Sequence, residues 1–281
     1  MHRNFFSKFV TYLTLLNVLA LLGACATTTN DSVAGVKRSQ LLILPASYVG
    51  NMSKQAYAKT LSTAQKKQTL NADPAMLSRV RDVSNRLISQ VGVFRTDAAQ
   101  WIWEVNVEKN DQLNAYCMPG GKIMVYSGLI EKLNASDDEL AAVIGHEIAH
   151  ALREHGRERM SQAYVQQFGI QAIAAVLTRG ASTVVGNASA QAASTGAQLF
   201  FALPNSREQE RESDSIGLEL SARAGYNPEA AVTLWQKMEA QAGAKQPEFL
   251  STHPASANRI NELRALTPKV MPLYEAAKAG K

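Results

Sequence analysis

His146-Glu147-Ile148-Ala149-His150 is the stretch on which the reading of this 281-residue chain turns. Two histidines four residues apart sit about 40° apart around a helix, so both imidazoles leave one face. Such a pair can hold one Zn²⁺, with Glu147 beside the metal, placed to take a proton from bound water. A surface helix with two solvated histidines would use the same letters, but the flanking sequence argues against it. Ser136-Asp137-Asp138-Glu139 has the spelling of a capping box, and the two aspartates favour the positive end of a helix dipole. The helix is therefore predicted to start near 137, which places the motif two to three turns inside it, with Leu140, Val143 and Ile144 packed on one side. It is predicted to run on toward 165, with Arg153, Glu154, Arg157, Glu158 and Arg159 as a solvated stripe.

A catalytic zinc needs a third protein ligand and an open position. His155 follows His150 by five residues, and on a continuous helix it points away from His146, so a surface or capping role is expected for it. A carboxylate from another helix is the better third ligand. The charged stretch from Ser206 to Glu219 offers Glu208, Glu210, Glu212, Asp214 and Glu219. Glu210 and Asp214 share a face; one of such a pair can bind zinc while the other fixes a histidine tautomer. Taken alone, the run also fits a solvated helix face.

Upstream, two helices are predicted over 53–67 and 74–91, the second with Asp73 as N-cap and Pro74 in its first turn. Trp101–Val107 alternates as a strand, and Asn114–Met118 and Lys122–Tyr126 flank the Pro119-Gly120-Gly121 turn, so a sheet of about three strands precedes the metal motif. Residues 165–203 are rich in small residues, and no apolar patch there reaches the roughly 18 residues of a span. A lid over the site and plain helix packing both fit this segment. Gly225–Pro228 separates two helices, Thr252-His253-Pro254 reads as a turn, and a last helix bears Arg259 before a polar tail.

The N-terminus has Arg3 and Lys8 ahead of an apolar run that closes on Leu22-Gly23-Ala24-Cys25. This is the layout of an export signal ending in a lipobox, with an ordinary secretory signal or an uncleaved anchor as the alternatives. Residues 1–24 are read as the signal, Cys25 as the lipidated residue, 25–40 as a Thr-, Ser- and Asn-rich tether, 41–270 as the domain and 271–281 as a tail. Cleavage would lower the net charge from +5 to +3, too mild a balance to imply nucleic acid. Cys117 would then be the remaining cysteine, so no internal disulfide is expected. A small core residue is the favoured reading for it, with an intermolecular bridge as the other.

His146-Glu147-x-x-His150, Glu210-x-x-x-Asp214 and Thr252-His253-Pro254 followed by Arg259 together resemble the M48 metallopeptidases. The Asn114-Ala115 and Pro119-Gly120-Gly121-Lys122-Ile123 segment, running into Ser127-Gly128-Leu129, matches their usual lead-in. The resemblance covers roughly 41–268. It implies an α+β, mostly helical, gluzincin-like fold with a small β-sheet beside the motif helix, and one Zn²⁺ held by His146, His150 and Glu210. It makes Glu147 the catalytic base and places Asp214 behind the ligands. It brings His253 near the metal, either to stabilise the oxyanion or as a self-inhibiting fourth ligand.

The expected activity is that of a zinc endopeptidase acting on unfolded or misassembled envelope polypeptides. Sorting of the lipoprotein would place it in the periplasm, tethered through Cys25 to the outer membrane, near the envelope assembly machinery. Substrate is expected to add as an extra strand along Ile123-Met124-Val125, with Arg259 binding substrate, orienting its loop or closing a salt bridge. The alternative is a membrane-tethered assembly factor or chaperone-like binder whose zinc is only structural; the intact Glu147 favours the enzyme.

Overall fold

The helix bearing His146 and His150 starts where its capping box places it. In the computed structural model, Ser136 Oγ accepts from the Glu139 N–H at 3.2 Å, and the Glu139 carboxylate accepts from the Ser136 N–H at 2.9 Å. The structure describes residues 25–33, 35–178, 204–241, 248–254 and 258–280, apart from the side chains of Cys25 and of 168–178. The predicted signal at 1–24 and most of the predicted lid at 165–203 therefore lie outside the described residues.

In chain order the described elements begin with β1 (Cys25–Ala26), β2 (Gln40–Leu41), α1 (Ala46–Lys66), α2 (Pro74–Ile88) and α3 (Val91–Phe94). A 3₁₀ turn (Thr96–Gln100) leads to β3 (Glu104–Glu108), β4 (Ala115–Met118), β5 (Lys122–Tyr126), α4 (Ser127–Leu133) and α5 (Asp137–Leu152). After these come α6 (His155–Thr178), α7 (Arg207–Arg223), α8 (Ala230–Gln241), α9 (Glu248–Thr252) and α10 (Arg259–Ala279). The result is the mostly helical α+β fold with a small sheet that the sequence implies. Asp73 caps α2 as expected, accepting from the N–H groups of Ala75 and Met76 at 2.9 and 3.0 Å. Among the described residues no helix is long and apolar enough to cross a membrane.

The three-stranded sheet runs β3-β5-β4. β5 pairs parallel with β3 and antiparallel with β4, so it is the central strand. This corrects the expectation of a substrate edge at Ile123, Met124 and Val125: all three are buried and their strand is bonded on both sides. The outer strand is β4. Asn114 O accepts from Tyr126 N, so in this antiparallel pair the alternate residues 116 and 118 also turn their polar backbone toward β5. The N–H and C=O of Cys117 and the C=O of Ala115 are left pointing outward, while the Ala115 N–H is taken by Asn114 Oδ1 at 2.9 Å.

Helix α5 is buried along almost its whole length, between the sheet and α7. The α5–α7 crossing is close because it is built on glycines. A Cβ on Gly217 would lie 2.7 Å from His146 N and 2.8 Å from its Cα, and one on Gly145 would lie 3.0 Å from Gly217 O. Leu140, Val143 and Ile144 join Ile216, Leu220, Val105 and Val125 in one continuous apolar core. Burial of these side chains at about 25 cal/mol per Å² holds the two site-bearing helices against the sheet.

Three sequence expectations change here. First, the motif helix stops at Leu152 instead of running to 165. Glu154 takes a left-handed conformation (φ 52°), and α6 starts at His155. The charges read as a solvated stripe are then turned inward, with Arg153 fully buried and Glu154 and Glu158 nearly so. Glu154 is held in this turn by Arg95 at 2.9 Å and Arg157 at 2.5 Å. Second, Thr27, Thr29, Asn30 and Gln40 of the predicted tether are tied to the domain. Thr27 and Thr29 accept from Arg153, the Asn30 N–H bonds to Phe94 O at 2.7 Å, and Gln40 is fully buried. Their polar side chains serve buried charge, which composition alone reads as loop. Third, the predicted tail continues α10 to Ala279, because Val270, Leu273 and Tyr274 reach the core.

Candidate active site

Helical spacing sends His146 and His150 from the same face of α5, and the capping box formed by Ser206 and Gln209 starts α7 so that Glu210 meets them. His146 Nε2 and His150 Nε2 are 3.0 Å apart, and each is 3.3 Å from an oxygen of Glu210. His253, at the end of α9, brings Nδ1 to 3.0 Å from Glu210 and 3.3 Å from His146 Nε2. Among the described residues, these four buried side chains have ligand atoms that all lie within 4.8 Å of one another.

The donor set fits a metal. Lone pairs of neutral imidazoles and a carboxylate repel at such distances unless a cation or protons lie between them. Zinc bonds of about 2.0–2.2 Å in a tetrahedron put neighbouring donors roughly 3.3–3.6 Å apart, close to what the side chains already show. Each ligand is also oriented from behind. Asp214, one turn after Glu210, lies 2.9 Å from His146 Nδ1, so the Nδ1–H is donated outward and Nε2 faces the cluster. Arg259 spans Glu210 and Asp214 at 3.2 and 2.5 Å, and its guanidinium stacks 3.3 Å above the Trp235 ring. Buried behind the ligands, Arg259 cannot meet a substrate, which corrects that part of the expectation; the salt bridge was the right alternative.

The charges respond to this crowding. Burial opposes a charge on His146, but the Glu210 and Asp214 carboxylates outweigh it and hold its pKa up at about 9. His150 is pushed well down by burial, against the pull of Glu210. Burial would raise Glu210, yet the histidines around it hold it well below the usual carboxylate range. Glu147 is raised by burial, with His253 and His146 opposing. Its Oε1 has no hydrogen-bond partner, and His253 Nε2 is 3.5 Å away. A buried carboxylate oxygen without a partner next to the donor set is the chemistry of a base waiting for a proton.

A cleft opens on this side of the cluster. Its wall includes Asn114–Cys117 of the outer strand, with Glu147, His150, Asn205 and His253 opposite. Cys117 is buried and free, and burial raises its thiol pKa, as suits a core residue.

Several contributors were not legible in the sequence. Asn205 places Nδ2 3.2 Å from His253 Nδ1 and accepts from Arg159. Phe249 stacks on the His253 ring with centroids 4.3 Å apart, which fixes that imidazole over the cluster. His155, expected at the surface, is fully buried with Nδ1 2.8 Å from His150 Nδ1, because the break after Leu152 folds it back beneath the motif. The left-handed residue is Glu154 and not the nearby Gly156, so the sequence does not announce that break.

Comparison with known proteins agrees with the geometry. The model of peptidase family M48 matches residues 74–267. The mitochondrial metalloendopeptidase OMA1 of Schizosaccharomyces pombe is 32% identical over 226 residues, 78% of this chain and 60% of that protein. The mitochondrial metalloendopeptidase OMA1 of Bos taurus is 31% identical over 248 residues, 85% of this chain and 46% of that protein. A beta-barrel assembly-enhancing protease of Yersinia pestis is 28% identical over 204 residues, 71% of this chain and 40% of that protein. The chain thus spans 60% or less of the length of these relatives.

Proposed function

The chain belongs to peptidase family M48, and from that premise we propose that it is a zinc endopeptidase acting on extended segments of unfolded or misassembled envelope polypeptides. The observation that carries this reading is the convergence of His146, His150 and Glu210 beside a Glu147 oxygen with no hydrogen-bond partner, with Glu147, His150 and His253 lining a cleft walled by an outer strand. A bound zinc supplies Lewis acidity toward a peptide carbonyl and acidifies water. Glu147 accepts the proton of the attacking water and passes it to the leaving amine, a role that its raised pKa favours. The outward N–H and C=O of Cys117 and the C=O of Ala115 bind substrate backbone as an added strand, which accepts many sequences and requires an extended, unfolded chain.

His253 is the fourth donor in the set. It is stacked on Phe249 and lies 3.0 Å from Glu210; with zinc bound by His146, His150 and Glu210, it would compete with water and substrate for the metal and so restrain the site. The Leu22-Gly23-Ala24-Cys25 sequence supports export and lipidation at Cys25, with the domain held at the periplasmic face of the outer membrane. The beta-barrel assembly-enhancing relatives support an envelope setting. The printed names of the other relatives favour a second placing, at a mitochondrial membrane. Mass spectrometry of the mature N-terminus separates the two, since the first requires a lipidated cysteine at position 25.

Activity is tested with purified protein and casein. Cleavage that stops with a chelator and returns with zinc is expected. Cleavage indifferent to chelation would overturn the metal role.

A further inference from the structure

His150 is backed differently from His146. His146 has the Asp214 carboxylate behind Nδ1. Behind His150 Nδ1, at 2.8 Å, stands another imidazole nitrogen, Nδ1 of His155. The far nitrogen of His155, Nε2, lies 2.8 Å from Glu212 Oε2. Glu212 is on α7 between Glu210 and Asp214, but turned to the opposite side of the helix and away from the metal group. It also receives Arg38 Nε at 2.8 Å and Arg153 Nη2 at 3.2 Å. His155 and Arg153 are fully buried.

The proton positions follow from these contacts. A carboxylate oxygen 2.8 Å from Nε2 requires the proton of His155 on Nε2. Its Nδ1 is then an acceptor, so His150 must donate from Nδ1. That leaves the lone pair of His150 on Nε2, the atom turned to His146 and Glu210. Resting on the reading of His150 as a metal ligand, we infer that His155 and Glu212 form a relay that fixes the tautomer and ring orientation of His150, clamped by Arg38 from the segment ahead of α1. His155 and Glu212 are positioning residues and do not touch substrate.

The inference has a quantitative content. Without His155, the His150 N–H is buried without an acceptor and the ring loses its orientation. Loss of a partner behind a metal-bound histidine typically weakens metal binding by about 10–100-fold. The test uses the full chain and zinc alone, with dissociation constants from competition against a chromogenic chelator and thermal melts of the metal-free proteins. His155→Leu is expected to weaken zinc binding by about 10–100-fold. His155→Gln keeps a carbonyl acceptor and an N–H donor and is expected to stay within a few-fold of wild type. A merely structural role would lower the metal-free melting temperature of His155→Leu and leave its zinc constant unchanged; that result overturns the relay. Wild type that fails to bind zinc would instead overturn the metal-centre reading. Should His155→Leu not fold, ring nitrogen NMR of the zinc-loaded wild type decides. Protons on Nε2 of His155 and Nδ1 of His150 are expected, and a proton on Nδ1 of His155 overturns the relay.

Discussion

Gly217→Ala adds one methyl group to α7, about two turns from Glu210. The new Cβ would sit 2.7 Å from His146 N, 2.8 Å from His146 Cα and 2.9 Å from Gly145 C. All three are backbone atoms, so no side-chain rotation relieves the clash. Ordinary carbon contacts of about 3.5–4.0 Å require α5 and α7 to part by roughly 0.7–1 Å. Overpacking of this kind costs about 1–3 kcal/mol, offset by about 1 kcal/mol of helix propensity gained on replacing glycine. The metal-free protein is then expected to melt up to roughly 8 °C lower, at about 2–4 °C per kcal/mol for a domain of this size. The effect on metal is larger, because His146 and His150 stand on one helix and Glu210 on the other, while ligand distances tolerate only about 0.2 Å. Chelator competition should show zinc binding at least about tenfold weaker. Gly145→Ala serves as the comparison: its nearest atoms are the Ser221 hydroxyl at 2.9 Å, which can rotate, and Gly217 O at 3.0 Å, a milder backbone overlap, so a smaller loss is expected. Wild-type melting and wild-type zinc affinity in Gly217→Ala would refute the claim that close backbone approach of these helices builds the site.

Three further outcomes follow from the same geometry. Cys117→Pro removes an N–H that points away from β5, so steady-state kinetics on a peptide should show a raised KM with zinc content kept; unchanged KM would exclude strand addition at β4. His253→Ala should increase the rate of casein cleavage several-fold by opening the fourth position, and a fall in rate at constant zinc content would give that histidine a transition-state role instead. Burial would raise Glu212, but His155 and Arg38 outweigh it and hold its carboxyl at about 2, below its ordinary 4.5. Its stabilising contribution is therefore complete above about pH 4.5 and is lost as pH falls from there through about 2, by at most about 3 kcal/mol. Urea melts of wild type across that window should lose more stability than those of Glu212→Gln.

What the sequence disclosed and what it concealed have a common physical origin. Local signals held: the Ser136 capping box, the Asp73 cap, the three strands, and the four-residue spacings that bring His146 and His150 to Glu210 with Asp214 behind His146. Each depends on neighbours within a turn or a strand. Sheet order did not follow, because the choice of β5 and not β4 as the central strand depends on β3 returning parallel to it, which no turn residue specifies. The reversal at Glu154 was concealed for a similar reason. A run of five charges reads as a solvated face, and here it is largely buried because partners more than 50 residues away in sequence, Arg38, Arg95 and Glu212, neutralise it. His155 reads as a surface residue only if the helix is continuous, and Glu212 is one of five carboxylates in a run that also fits a solvated face, so neither shows its buried partner in the sequence.

The central claim is that Glu147 is a base beside a metal it does not hold. Zinc content and casein cleavage measured together on wild type and Glu147→Gln test it most directly. One zinc per chain in both proteins is expected, with cleavage lost at least about a hundredfold in the variant. Equal cleavage by the two proteins, or loss of zinc from Glu147→Gln, would contradict it.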